Sequence, residues 1–305
     1  MSDTAARVTP SPIVCPVCDG TDFTPMFPQA VGAAATTPAA PYRITQSSRR
    51  LVGTIRRCEG CGLGVLPQDL GDLAHYVEGH DERFAEQAAV RIRNAERLLQ
   101  LLPPPATGMT LFDVGCAYGF LLVAARNLGY VPRGIEISEA AAAYARRTYE
   151  LDVLTGSIED ARLGAESLDV VTLADVIEHL TAPAAVIDRI HGLLKPGGRL
   201  LILTPDLESL AARALGRHWW ALLDDHYFYF SRYTLPRFLA RHGFAVESLR
   251  SFGRAFPVHH WVYKLSQYSR GAHRAVDAAV RAVGLANVEV PLNLGDQMAC
   301  VARRR

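Results

Sequence analysis

Three groups of residues carry types and spacings that suit chemistry. In LFDVGCAYGFLL at 111–122, Asp113 is followed by small residues at every second position, Gly115, Ala117 and Gly119, and then by a new apolar run. Such a stretch bends the main chain sharply, removes side chains where a ligand must touch backbone, and opens a helix whose first N–H groups lack partners. That is the chemistry of a nucleotide-type cofactor site. A second apolar run, LGYVPRGIEIS at 128–138, includes Glu136 near its end, and a carboxylate at that strand tip suits paired hydrogen bonds from ribose hydroxyls.

Four cysteines form the second group, as CPVC (Cys15, Cys18) and CEGC (Cys58, Cys61). In a reducing compartment, two such pairs favour one closed, tetrahedral, structural zinc site over disulfides. Two unrelated thiol turns or a redox CxxC are the alternatives, and neither pair lies in the βαβ pattern that a redox motif needs. The third group is His179, in ADVIEHL, and His226, in DDHYFYFSRYTL. Imidazole titrates near pH 6.5 when unperturbed, so either can serve as a base for deprotonating a hydroxyl. Bracing the turn is the competing role of the EHL triplet.

The elements that must hold these residues follow from hydropathy. Apolar runs near 110–114, 131–136, 152–155, 169–174 and 199–204 alternate with helical stretches starting near Phe120, Ser138 and Pro183. Such alternation predicts an α/β fold, a parallel sheet wrapped by helices on both faces. A helix at 83–102 should stop at the proline triplet 103–105. Further strands are expected at 244–251 and 297–302, with an insertion at about 254–290 between them. Residues 1–70 are expected to form the metal-binding ribbon, with a flexible Pro/Ala/Thr-rich excursion at 30–42, and 71–305 the cofactor-binding domain. Cys116 and Cys300 fall inside predicted elements and read as small core residues.

The spacing Asp113, Gly115, Ala117, Gly119 resembles the first motif of class I S-adenosylmethionine-dependent methyltransferases more than the GxGxxG dinucleotide fingerprint. SIED at 157–160, LDVVTLADVIEHL at 168–180 and LLKPGGRLLILTP at 193–205 look like successive elements of that family, and the likeness covers about 84–303. The resemblance implies a doubly wound, Rossmann-like sheet of seven mostly parallel strands, the last running antiparallel between the fifth and sixth. It also implies a site for S-adenosylmethionine. Asp113, Gly115, Ala117 and Gly119 would surround the methionine end, Glu136 would hold the ribose, and Ile137 and Ile158 would sandwich the adenine. Ser157 or Asp160 would lie near the adenine amino group, and Ala174 and Asp175 beneath the sulfonium. Ala117 departs from the family's usual glycine. The ribbon, with RCEGCGLGVLP and the following His75-Tyr76, is similar to the zinc-binding segment that precedes the methyltransferase domain in enzymes of bacterial deoxysugar and secondary-metabolite pathways. Sugar C-methyltransferases of that kind carry a further C-terminal domain, for which 305 residues leave no room.

Charge and composition narrow the acceptor. With 32 Lys and Arg against 31 Asp and Glu, the net charge is +1. Phosphate contacts need cations in numbers, so nucleic acid is disfavoured, and an rRNA or tRNA methyltransferase is a rival reading only. No apolar run is long enough to span a bilayer and no secretory apolar segment opens the chain, so a cytoplasmic protein without a membrane partner is expected. The expected reaction is in-line methyl transfer to a small-molecule hydroxyl, on a sugar or secondary metabolite, with His226 or His179 as base. Alternatives are C-methylation of a deoxysugar and a silent cofactor-binding scaffold whose ribbon docks a partner. A carrier protein or a second copy of the chain are the candidate protein partners. A divalent cation such as magnesium, held by Asp175, Glu178, His179 and His226, would replace the free base. Aromatic residues crowded at 219–233 are expected to divide between the core and the acceptor wall.

Overall fold

The computed structural model describes residues 13–26, 54–67 and 82–305. The excursion expected at 30–42 and the His75-Tyr76 pair lie outside them. Near the N-terminus, β1 (Phe23–Pro25), β2 (Arg56–Cys58) and β3 (Gly64–Val65) pair antiparallel in that order. Two helices follow, α1 (Glu82–Glu86) and α2 (Ala88–Leu99), so the single helix expected at 83–102 is interrupted at Gln87.

Strand and helix then succeed one another much as hydropathy dictates: β4 (Thr110–Val114), α3 (Phe120–Asn127), β5 (Val131–Glu136), α4 (Glu139–Tyr149), β6 (Asp152–Thr155), β7 (Leu168–Ala174), α5 (Pro183–Leu193) and β8 (Leu194–Pro205). After these come α6 (Leu210–Leu215), β9 (Phe228–Tyr229), α7 (Thr234–Arg241) and β10 (Phe244–Ser251). The chain ends with β11 (Arg254–Pro257), α8 (Val258–Lys264), α9 (Arg270–Ala282), β12 (Glu289–Leu292) and β13 (Gln297–Arg304).

Seven strands form one sheet in the order β10-β13-β8-β7-β4-β5-β6. Strands β8, β7, β4, β5 and β6 run parallel, and β13 lies antiparallel to both of its neighbours, β8 and β10. The physical cause is visible in the alternation of side chains. Phe112, Val171, Leu200 and Ile202 pack with Ile187 of α5 and Phe238 of α7. Leu111, Val170, Leu201 and Leu203 turn the other way and pack with Leu98 of α2 and Leu122 of α3. Strands covered on both faces read as unbroken apolar runs, and each fully buried Leu or Ile contributes about 1.5–3 kcal/mol. Helix α4 is anchored where the site needs it: Ser138 Oγ accepts the Ala141 N–H at 3.3 Å, Glu139 lies in the first turn, and Arg146 and Arg147 lie in the last. Each choice complements the helix dipole or its unpaired ends.

Strand β9 pairs with β3, so the small sheet β1-β2-β3-β9 joins the cysteine-bearing segment to the main body. Gly64 permits this approach, because a Cβ there would meet Tyr229 Cβ at 2.9 Å and Leu207 Cδ2 at 3.0 Å. Trp219, Tyr227, Phe228, Tyr229 and Phe230 are buried, Trp220 is half-buried and Tyr233 is exposed. The aromatic cluster is thus mainly core. Cys116 and Cys300 are buried as their setting suggested. Among the described residues, no helix is long and apolar enough to cross a membrane.

Candidate functional site

Strand β4 has β5 on one side and β7 on the other. In a doubly wound sheet, the crevice for a ligand opens at the carboxyl ends of the strands where the chain order reverses. The turn leaving β4 fills that place. Gly115 and Gly119 adopt φ of 73° and 79°. A Cβ would meet Val176 Cγ2 at 2.7 Å in the first case and Leu151 Cδ1 at 2.6 Å in the second. Ala117 also sits in the left-handed region, at φ 46°, a conformation that costs an L-residue about 1–2 kcal/mol. Its N–H donates to Glu136 Oε2 at 2.8 Å, and the Ser138 N–H donates to Oε1 at 2.9 Å. A charge-assisted bond of this kind, worth about 1.5–3 kcal/mol, offsets the strain of the alanine that replaces the expected glycine.

Burial raises the Glu136 carboxyl above its ordinary range, while the N–H groups of Ser138 and Ala117 pull it back. Each carboxylate oxygen keeps a second acceptor position beyond its main-chain bond. Asp113 is buried and accepts Thr172 Oγ1–H at 2.5 Å; burial pushes its carboxyl up to about 7. Ile137 is half-buried beyond the end of β5, and Ile158 is buried. Ser157 Oγ donates to the exposed Asp160 at 2.8 Å. Ala174 ends β7, and Asp175 follows it at φ 57°, its carboxylate paired with the Arg254 guanidinium of β11. A tight turn with left-handed backbone at Gly115, Ala117 and Gly119, bonded to a buried carboxylate, fits a nucleoside-bearing cofactor.

His179 closes a short 3-10 turn, Ile177–His179, just past that strand end. Its Nδ1 lies 2.8 Å from the main-chain oxygen of Asp225. A carbonyl only accepts, so Nδ1 carries a hydrogen. The Asp225 carboxylate stands 3.9 Å from the same Nδ1. His226 packs edge-on to His179 with centroids 4.5 Å apart, is 5% exposed, and has no hydrogen-bond partner at Nδ1 among the described residues. Burial first, and the neighbouring His179 second, push His226 down to about 3. Glu178 is buried, accepts Thr204 Oγ1–H at 3.0 Å and is pushed up to about 7, chiefly by burial.

Donor atoms of Glu178, His179 and His226 lie within 4.8 Å of one another, and Asp175 is not among them. Magnesium demands near-octahedral oxygen ligands, whereas two imidazoles and one carboxylate suit a softer transition metal. The magnesium expectation therefore finds no support in this donor set.

The four N-terminal cysteines converge. Cys15 and Cys61 sulfurs lie 3.5 Å apart, those of Cys18 and Cys58 lie 3.4 Å apart, and all four fall within 4.8 Å. Zinc–sulfur bonds of about 2.3 Å in a tetrahedron place sulfurs roughly 3.8 Å apart, close to this arrangement. Two tight turns present them, closed by Asp19 N–H to Cys15 O at 2.9 Å and Gly62 N–H to Cys58 O at 2.8 Å. Burial pushes the Cys15 thiol up and the Cys61 thiol to about 11. The donor set fits zinc.

The structure adds residues beyond those that the sequence singles out. Arg254 reaches Asp175 from the insertion, Asp225 orients His179, and Thr172 binds Asp113. Asn94 of α2 holds the insertion in place by bonding both the N–H and the oxygen of Ala255 at 2.8 Å. Of these, only Asp225 left a signal, the acidic pair directly before His226.

The profile of the methyltransferase domain family matches residues 84–249. The ubiquinone biosynthesis O-methyltransferase of Pseudomonas paraeruginosa is 38% identical over 106 residues, 32% of this chain and 44% of that protein. The protein of the same name from Cereibacter sphaeroides is 31% identical over 126 residues, 38% of this chain and 50% of that one. The chain thus spans about half or less of the length of these curated relatives. An S-adenosylmethionine-dependent methyltransferase of Thermotoga maritima superposes with a TM-score of 0.50 over 73% of this chain and 94% of its own, at 18% identity, a likeness of fold.

Proposed function

The chain belongs to the methyltransferase domain family, and from that premise we propose that it moves the methyl group of S-adenosylmethionine to a hydroxyl of a small molecule. When bound, this cofactor supplies a methyl on a sulfonium, with a neutral thioether as leaving group. The chain must then align the acceptor and take its proton. Glu136 would accept the ribose hydroxyls, and Asp113, Gly115, Ala117 and Gly119 would border the methionine end. Ile137, Ile158, Ser157 and Asp160 would hold the adenine, with Ala174 and Asp175 beneath the sulfonium.

The observation that carries the reading is the His179 Nδ1–H bonded to the Asp225 carbonyl beside the end of β7. Its Nε2 would take the acceptor proton, and the resulting imidazolium would be stabilised by the Asp225 carbonyl at 2.8 Å and carboxylate at 3.9 Å. His226, depressed to about 3, would stay neutral and buttress the ring. The names of the curated relatives support oxygen as the methylated atom. A sugar or secondary-metabolite hydroxyl is the acceptor that the ribbon's likeness suggests, and a ring hydroxyl of a quinone precursor is the second reading, favoured by those relatives' names. Zinc on Cys15, Cys18, Cys58 and Cys61 would be structural, since four sulfurs leave no open position.

Release of S-adenosylhomocysteine over a panel of hydroxylated acceptors tests the reaction. His179→Asn should lower turnover by about 10²–10⁴ while cofactor affinity stays unchanged. An equal rate in wild type and variant removes His179 from the role.

A further inference from the structure

The insertion that follows β10 brings a cation toward the end of β7 and leaves it without a counter-ion. Strand β11 projects alternate residues to one face, so Arg254 and Phe256 share it. Arg254 pairs with Asp175. Phe256 stacks on the His260 ring, with centroids 4.1 Å apart and planes at 15°. On α8, Lys264 follows His260 by four positions and so lies on the same side of the helix. Asn94 of α2 pins this wall, since it bonds both main-chain groups of Ala255 at 2.8 Å.

Lys264 is half-buried and makes no hydrogen bond or ion pair among the described residues. The two carboxylates that act on it are engaged elsewhere, Asp296 with Trp220 Nε1 at 2.9 Å and Asp175 with Arg254. Burial first and Arg254 next lower the Lys264 ammonium below its ordinary value, and Arg91 adds to the effect. The same positive field reaches His260, which burial, then Lys264 and Arg91, push down to about 3. Arg91 is already occupied: it donates to Gln87 Oε1 at 2.9 Å and lies over the Phe84 ring at 3.8 Å. An ammonium partly withdrawn from water beside like charges is costly until an anion meets it, and sites of this kind are typically binding sites.

From this placement we propose that the acceptor carries an anionic group, a carboxylate or a phosphate, and that Lys264 receives it beside Arg254 while the hydroxyl lies at the end of β7. The inference rests on the cofactor and acceptor reading above and deepens it by naming what the acceptor must carry. A lysine ammonium acts as a compact point charge and suits either oxyanion. A neutral acceptor would leave it buried and unpaired. The chain as a whole carries only +1, so the excess of positive charge is local to this wall.

Calorimetric titration of the protein saturated with S-adenosylhomocysteine tests it, using two pairs of probes that differ in charge: 3,4-dihydroxybenzoate against 3,4-dihydroxybenzamide, and glucose 6-phosphate against glucose. In at least one pair the anion should bind roughly tenfold to a hundredfold tighter than its neutral partner, and the pair that responds identifies the anion as carboxylate or phosphate. Lys264→Met should abolish the preference and Lys264→Arg should keep it. The acceptor-free thermal midpoint of Lys264→Met should hold or rise, because a repelling charge is gone; a fall would make the ammonium structural and overturn the proposal. Equal binding within both pairs, or binding of no probe, overturns it too, as does a Lys264→Met protein that keeps the preference. A tenfold loss of S-adenosylhomocysteine affinity in Lys264→Met also overturns it, by assigning the ammonium to the cofactor's own carboxylate. A wild type that binds no S-adenosylhomocysteine at all refutes instead the cofactor reading beneath it, and the inference falls with that reading.

Discussion

Replacing Glu136 by Gln should expose the energetic role of one carboxylate in two structures at once, the turn and the cofactor site. Both oxygens accept main-chain N–H groups, from Ala117 at 2.8 Å and Ser138 at 2.9 Å. Glutamine keeps the shape but presents an NH₂ to one of these donors, leaving a buried N–H unpaired at about 1–3 kcal/mol. Thermal unfolding of the cofactor-free protein should register that loss. The proposed ribose bonds change separately: one of two charge-assisted bonds disappears and the other becomes a neutral one, together about 3 kcal/mol. Calorimetric titration with S-adenosylhomocysteine should therefore show Kd weakened roughly a hundredfold. A folded Glu136→Gln protein that binds within threefold of wild type would refute the assignment of the ribose to this side chain.

Three more expectations follow from the same geometry. Gly119→Ala must hold φ 79° with a Cβ 2.6 Å from Leu151 Cδ1 and 3.0 Å from Ala145 Cβ, so left-handed strain and overpacking should together cost about 2–5 kcal/mol in urea unfolding; an unchanged midpoint refutes this. Asp113 is favoured in its protonated form when folded, with its carboxyl raised from 3.8 to about 7, so its contribution to stability is largest below the unfolded pKa and falls as pH climbs through about 7. Asp113→Asn, which cannot ionise, should flatten the thermal midpoint across that window and exceed wild type at the alkaline end, and a pH dependence as steep as wild type contradicts it. Native mass spectrometry should find one zinc per chain, and chelation or Cys61→Ser should lower the thermal midpoint by several degrees; a chain isolated metal-free with the same midpoint removes the metal.

The sheet was legible because its strands are covered on both faces, so Leu200–Leu203 appears in the sequence as the apolar run it is in the core, and Leu111, Phe112 and Val114 bracket the lone Asp113. The cofactor turn was legible because only small residues fit there, as the contacts a Cβ would make at Gly115 and Gly119 show. Cysteine spacing announced a cluster even across the long stretch between Cys18 and Cys58. Other features depend on contacts made only once the chain has folded. Arg254 meets Asp175 across 79 positions, and the pairing of β3 with β9 rests on two-residue strands too short to leave a pattern. His226 sits in a polar DDH context, so nothing local foretold that it would be buried against His179 with its charge suppressed. The aromatic run at 219–233 looked equally suited to a wall or a core, and packing decided for the core.

A crystal structure of the protein grown with S-adenosylhomocysteine tests the central claim most directly. Both ribose hydroxyls should lie within hydrogen-bond distance of the Glu136 carboxylate, with the thioether sulfur at the end of β7 near Asp175 and on the same side as His179 Nε2. Ligand density elsewhere on the chain, or none at saturating concentration, would contradict it.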